Sequence, residues 1–138
     1  MLNKSTFSVW IIDHDIISQF GMRIKLRQFM DDLFVTCFDT THRGLMELTE
    51  LRNMQAPMPD IIFLDLQMPY MNGWAFLDLM EEILENLTKP DVYIISSFEV
   101  FEDFEKARQH HLVKGYFTKP LDKHNLEFVF MRSGIERI

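Results

Sequence analysis

The feature that most constrains this chain is a run of four apolar residues that stops on a single carboxylate. Ile61, Ile62, Phe63 and Leu64 carry no polar interruption, are too few for a helix, and read as a strand buried on both faces. Asp65 follows at once. Pro69 and Gly73 then break the pattern, since proline lacks an N–H and glycine tolerates positive φ. The chain must turn over the end of that strand before the helical run that begins near Trp74. Strands buried on both faces belong to parallel sheets covered by helices, and open sheets of that kind place their sites beyond the carboxyl ends of the strands. Asp65 stands at such an end, although a lone acid there equally serves to cap the next turn.

Two other strand ends add to it. Residues 9–12 form a second buried run that ends on Asp13, His14 and Asp15, and residues 115–118 form a third that ends on Lys119 and Pro120. In a parallel sheet, two acids and a lysine at three strand ends can meet along one edge.

The rest of the chain alternates in the same way. Strands are expected at residues 7–12, 33–38, 61–64, 92–95 and 113–117, and helices at 16–30, from Thr40 or Thr41 to about 53, from Asn72 or Gly73 to 86, 99–110 and 122–132. The first helix spaces Ile17, Phe20, Ile24 and residues 26–29 close to a helical period, with Arg23, Lys25 and Arg27 between them. The third has an apolar face of Phe76, Leu77, Met80, Ile83, Leu84 and Leu87, and the fifth one of Leu126, Val129 and Phe130. The fourth is short of large apolar residues and rich in charge. Five strand–helix units with no repeat and no linker predict one domain over residues 1–138, with its core at about 7–132, built as a parallel sheet with right-handed crossovers.

At these residues the chain resembles the receiver domain of two-component response regulators, single-domain and like the chemotaxis receiver. The resemblance rests on Asp13 after the first strand, residues 64–69 (Leu-Asp-Leu-Gln-Met-Pro) with Gly73 after the third, Ser96 and Ser97 after the fourth, and Gly115, Tyr116, Lys119 and Pro120 at the fifth. It implies a flavodoxin-like (βα)5 doubly wound α/β fold with strand order 2-1-3-4-5, so that Asp13 and Asp65 become neighbours at the switch point. It also implies that Asp65 is the phosphoacceptor, and that Asp13, Asp65 and the Gln67 backbone carbonyl hold Mg²⁺. By the same resemblance Lys119 pairs with the phosphoryl group, Ser96 hydrogen-bonds it, Tyr116 is an aromatic switch, and the bond before Pro120 is cis. The chemistry suits the residue types. A carboxylate attacks phosphorus only when a cation offsets the repulsion between two anions, and ammonium and hydroxyl groups are the donors such a group needs.

His14 departs from the pattern, because the family carries there a second acid that ligates the metal directly. Asp15, one place on, points differently, so His14 or Asp15 as a ligand stays open. A divalent ion about 4 Å from a carboxylate at an effective dielectric of ~20 gains about 8 kcal/mol before desolvation. Losing it predicts weakened Mg²⁺ binding, with Mn²⁺ an alternative. Three readings of His14 follow: a tolerated variant, the mark of a receiver that works without phosphate, or a ligand for a softer metal. His110 and His111 read as a divergent surface pair on a helix; His42 and His124 sit near helix starts. The 10 methionines read as core filler, with Met68 and Met71 lining the site loop, and Cys37, the only cysteine, as a buried inert thiol.

Composition excludes several classes. The net charge of −7 opposes direct nucleic-acid binding, which needs a basic face. No apolar run approaches the roughly 20 residues of a membrane span and no signal-peptide pattern opens the chain, so a cytoplasmic protein is expected. The leading expectation is a stand-alone receiver phosphorylated by a sensor histidine kinase or a phosphotransfer protein, with at most autocatalytic phosphorylation and dephosphorylation. It would signal to a downstream protein, or dimerise, through the face of helix 4, strand 5 and helix 5. The alternatives are a phosphorylation-independent pseudo-receiver and, more remotely, a small-substrate phosphohydrolase on the same frame.

Overall fold

A computed structural model describes residues 7–133; the outer parts of the expected domain, residues 1–6 and 134–138, lie outside the described residues. Five strand–helix units follow in order: β1 (Ser8–Ile12), α1 (Ile16–Phe29), β2 (Phe34–Phe38), α2 (Thr41–Asn53), β3 (Ile61–Asp65), α3 (Gly73–Ile83), β4 (Asp91–Ser96), α4 (Phe101–Gln109), β5 (Val113–Thr118) and α5 (Lys123–Ser133). The strands form one parallel sheet in the order β2-β1-β3-β4-β5, the flavodoxin-like arrangement expected.

Alternation along the central strands divides the core into two layers. Val9, Ile11, Ile61, Phe63, Tyr93 and Ile95 point to the side covered by α1 and α5, where Met22, Leu26, Phe29, Leu126, Val129 and Phe130 meet them. Trp10, Ile12, Ile62, Leu64, Val92 and Ile94 point to the side covered by α2, α3 and α4, against Leu45, Leu48, Phe76, Leu77, Met80 and Ala107. With both faces occupied, function is left to the edges of the sheet.

Side-chain caps set several boundaries. Asp15 caps α1, Thr40 caps α2 and Asn72 caps α3, each accepting backbone N–H groups of the first turn. α3 stops at Ile83 rather than 86, because Leu84 leaves helical geometry and Asn86 takes a φ of 68°. α4 starts two residues later than expected, with no side-chain cap at Val100.

Four expectations need correction. The stripe of Ile17, Phe20 and Ile24 faces solvent, at 83%, 64% and 41% exposure, while Met22, Leu26 and Phe29 are the inner face of α1. His110 and His111 do not diverge on a helix: His110 is the C-cap of α4, and the two rings stack in the turn that follows. Cys37 is half-buried and accepts a hydrogen bond from Arg23 at 3.2 Å. Met68 is buried and Met71 partly so, but Met46, Met54 and Met131 are exposed rather than core filler.

Candidate functional site

The pairing of β1 with β3 places Ile12 opposite Leu64, so the residues that follow them, Asp13 and Asp65, sit side by side at the carboxyl edge. Both carboxylates are buried, at 0% and 6% exposure. Lys119 arrives from the end of β5, its backbone N–H donating to the Ser96 carbonyl at 2.8 Å. Its ammonium bridges the pair, donating to Asp13 Oδ2 at 2.6 Å and Asp65 Oδ2 at 2.8 Å. Burial alone would lower the Lys119 pKa, but the hydrogen bonds and charges of Asp13 and Asp65 outweigh it and hold it above the ordinary 10.5. Two anions and one cation leave the cluster with one net negative charge.

The remaining lone pairs of Asp13 are taken up locally. Oδ1 accepts the Asp15 N–H at 3.0 Å, Oδ2 also accepts the Ser18 hydroxyl at 2.6 Å, and the Gln19 amide donates to the backbone carbonyl. Asp65 Oδ1 accepts the Gln67 N–H at 3.0 Å, which folds the loop after β3 back over the strand end. Gly73 makes that fold fit: a Cβ there would come within 2.9 to 3.0 Å of Leu66 and the Asp65 carbonyl. Thr41 ties the same loop to α2 by donating to the Met71 carbonyl at 2.8 Å.

The structure therefore gathers Asp13, Asp65 and Lys119. It does not gather His14 or Asp15: His14 is exposed, and the Asp15 carboxylate accepts from Ile17 N at 3.0 Å and Ser18 N at 3.4 Å as the α1 cap. Gln67 lies at the site through its backbone, with its side chain exposed. Ser96 is buried at the end of β4, with its hydroxyl donating to the Phe98 carbonyl at 2.7 Å. The Tyr116 hydroxyl donates to that same carbonyl at 3.2 Å, and its ring lies edge-on to Phe104 of α4. The Lys119–Pro120 bond is cis.

Among the described residues no group of three or more His, Cys, Asp or Glu side chains is placed to hold a metal ion. Two carboxylates and a backbone carbonyl nevertheless suit a hard, oxygen-seeking cation that keeps part of its water. They fit one with a ligand fewer than a second acid would supply.

Sequence reasoning missed three contributors. Ser18 and Gln19 lie on the first turn of α1, where their spacing from the Asp15 cap was the one available signal. The Phe98 carbonyl has no side-chain signature at all.

A sequence model of the response regulator receiver domain matches residues 9–129. An uncharacterised response regulatory protein of Staphylococcus epidermidis is 30% identical over 123 residues, 89% of this chain and 45% of that protein. A transcriptional regulatory protein of Staphylococcus aureus, HptR, is 31% identical over 126 residues, 91% of this chain and 46% of that protein. The chain thus spans about half the length of these relatives. Among solved structures, a two-component response regulator from Cytophaga hutchinsonii superposes with a TM-score of 0.85 at 28% identity, covering 94% of this chain and 97% of that one. A receiver protein from Dyadobacter fermentans, at 24% identity and a TM-score of 0.74 over 94% of this chain and 98% of that one, shares the fold.

Proposed function

The chain belongs to the response regulator receiver domain family, and from that premise we propose that it accepts a phosphoryl group on Asp65 and signals through a protein-binding face. The observation that carries the reading is the Lys119 ammonium held between Asp13 and Asp65, because it supplies the positive charge an attacking carboxylate needs in order to approach a phosphate. The donor is a phosphohistidine on a sensor histidine kinase or a phosphotransfer protein. An Asp65 oxygen attacks phosphorus, the N–P bond breaks, and its electron pair returns to the imidazole.

Lys119 then exchanges part of its contact with Asp65 for the phosphoryl oxygens. Ser96 lies one residue beyond Ile95, the β4 partner of Asp65, so its hydroxyl reaches the phosphoryl group by leaving the Phe98 carbonyl. That carbonyl is shared with Tyr116, so the change passes to β5 and to Phe104 on α4. The face of α4, β5 and α5, with Phe101, Phe104 and Phe128 exposed, then meets a downstream protein or a second copy. Asp13, Asp65 and the Gln67 carbonyl would hold Mg²⁺ or Mn²⁺, which when bound offsets charge on the phosphoryl oxygens; His14 in place of an acid weakens that site. Water later clears the phosphoryl group, and autocatalytic phosphorylation and dephosphorylation are all the catalysis this reading asks of the chain.

We assign residues 7–132 to one receiver unit. No helix among the described residues is long and apolar enough to cross a membrane, and coupling to a kinase places the reaction in the cytoplasm. A second reading is favoured by one observation: Lys119 already neutralises half of the acidic charge and His14 adds none, as in a pseudo-receiver that binds its partner without phosphate.

Intact-mass measurement after incubation with acetyl phosphate or phosphoramidate, with Mg²⁺, Mn²⁺ or a chelator, separates the two. One added phosphoryl group that is lost in Asp65→Asn supports the phosphoacceptor. No addition with either ion, but addition in His14→Asp, supports the pseudo-receiver.

A further inference from the structure

The carboxyl end of α4 carries a cluster that the phosphoacceptor site does not use. The rings of His110 and His111 stack with centroids 5.2 Å apart and planes 4° from parallel. His110 also stacks on Trp74 of α3, at 6.2 Å and 29°. The Trp74 indole N–H donates to Asp103 of α4 at 3.1 Å, and the Lys106 ammonium sits 4.7 Å from the Trp74 ring. His111 Nε2 meets Glu81 of α3 at 2.6 Å. Apart from the histidine stack itself, each of these contacts joins α3 to α4 or to the turn after it.

One bond makes the cluster sensitive to protons. His110 Nδ1 accepts the N–H of Leu112, a buried residue, at 3.2 Å, and the His110 carbonyl accepts the N–H of Val113, the first residue of β5, at 3.1 Å. A ring nitrogen that accepts a hydrogen bond carries no proton, so His110 is neutral with its hydrogen on Nε2. Protonating Nδ1 would set donor against donor and leave the Leu112 N–H without a partner.

We propose that this turn is a proton-operated latch: neutral His110 locks the carboxyl end of α4 to α3 and to the start of β5, and protonation releases it. Glu81 and Asp78 on α3 favour the charged ring, whereas Lys106 on α4 and His111 beside it oppose it, and the Lys114 ammonium of β5 lies at the same turn, bonded to the His111 carbonyl at 3.2 Å. Burial is the largest influence and, with His111 and Lys106 beside it, holds His110 below the ordinary 6.5. The folded chain therefore binds this proton less readily than the unfolded one. The latch contributes fully above pH 6.5 and is lost as pH falls through the lower folded value. It lies at the opposite edge of the sheet from Asp65 and acts with or without phosphate there. Because α4 and β5 also carry Phe104 and Tyr116, in edge contact at 5.7 Å, its release loosens the packing around the signalling face.

The test follows three resonances of the full chain by NMR from about pH 7.5 to 5: the His110 ring, the Leu112 amide and the Trp74 indole N–H. The expected result is one common midpoint below 6.5, with exchange protection of the Leu112 amide falling about tenfold for each pH unit below that midpoint. His110→Asn retains an acceptor near the Nδ1 position and cannot titrate, so it should flatten the Leu112 and Trp74 responses. His111→Gln removes a neighbour that disfavours the charged His110 ring and should raise the His110 midpoint. The proposal is overturned if His110 titrates while Leu112 and Trp74 stay still, or if His110→Asn keeps the response of those two groups, which would place its origin outside His110. Should the Asn variant not fold, the wild-type midpoints decide alone, coincident for the latch and separate against it.

Discussion

Lys119 is one cation facing two buried acids, and removing it exposes what it does. In Lys119→Met the two carboxylates would face each other across the strand ends. Breaking a fully buried pair costs about 3–5 kcal/mol, which discounted for water reaching the site becomes about 2 kcal/mol at neutral pH. Protonating either acid relieves the repulsion, so the gap between variant and wild type should narrow from neutral to acid pH. Urea unfolding of both proteins at the two pH values checks this, and a gap that does not change with pH would mean that Lys119 acts by packing alone. At His14 the expected gain is in binding: His14→Asp should tighten Mg²⁺ on the order of tenfold, about 1.4 kcal/mol once desolvation has offset most of the attraction. Titration calorimetry on both proteins reads it directly, and equal affinities would show that position 14 does not face the ion. Asp13, Asp65 and Lys119 could be picked out of the sequence because each ends an apolar run, and their convergence followed from the strand order. Ser18 and the Phe98 carbonyl could not, since a serine in a first helical turn or a loop carbonyl looks ordinary until the fold places it.

α1 illustrates how far periodicity reaches at the scale of an element. The helix carries two apolar stripes, Ile16, Ile17, Phe20 and Ile24 on one side and Met22, Leu26 and Phe29 on the other, and a 3.6-residue period does not say which turns inward. The phase is set by polar tethers. Lys25 donates to the Leu121 carbonyl at 2.5 Å on one flank, Arg23 reaches Cys37 on the other, and the Asp15 cap fixes the start. The Lys25 and Arg23 contacts run to a distant loop and strand, so no local pattern encoded them. Leu26→Ala should therefore cost about 2–5 kcal/mol, as for a buried large-to-small change. Phe20→Ser should stay within about 0.5 kcal/mol, as for an exposed position. Comparable losses in chemical denaturation would mean that α1 is rotated from the orientation described. The inner strands β1, β3 and β4 were more legible than α1, because a run of apolar residues buried on both faces needs no choice of phase, whereas the edge strands β2 and β5 are only partly buried.

For the molecule as a whole, three groups bracket the pH range in which the fold is most stable. Tyr93 lies in β4 with no exposed surface, and burial, assisted by the nearby Asp91 charge and opposed by Arg132, pushes its pKa from 10.0 to about 12. A group whose folded pKa is raised contributes fully below its unfolded value and loses that contribution as pH climbs through the folded one. Tyr93 therefore drains stability between pH 10.0 and about 12, by about 2–3 kcal/mol at 1.4 kcal/mol per unit. Lys119, held above its ordinary 10.5, adds to the same alkaline loss. On the acid side His110 works in reverse, contributing above 6.5 and losing that as pH falls. The expected profile is a plateau from about 6.5 to 10, with a shallow acid shoulder and a steeper alkaline fall. Tyr93→Phe separates the terms, because the Tyr93 hydroxyl meets no hydrogen-bonding partner among the described residues. Removing it should raise stability near pH 7.5 by about 1 kcal/mol, as expected when a buried unpaired hydroxyl is deleted without a change of shape. The same variant should retain only the Lys119 part of the alkaline loss. Denaturant midpoints for wild type and Tyr93→Phe at about pH 7.5 and 11.5 test both statements together. A variant less stable at 7.5, with an alkaline slope equal to wild type, would mean that the Tyr93 hydroxyl is paired in the folded protein and that its burial does not shape the profile.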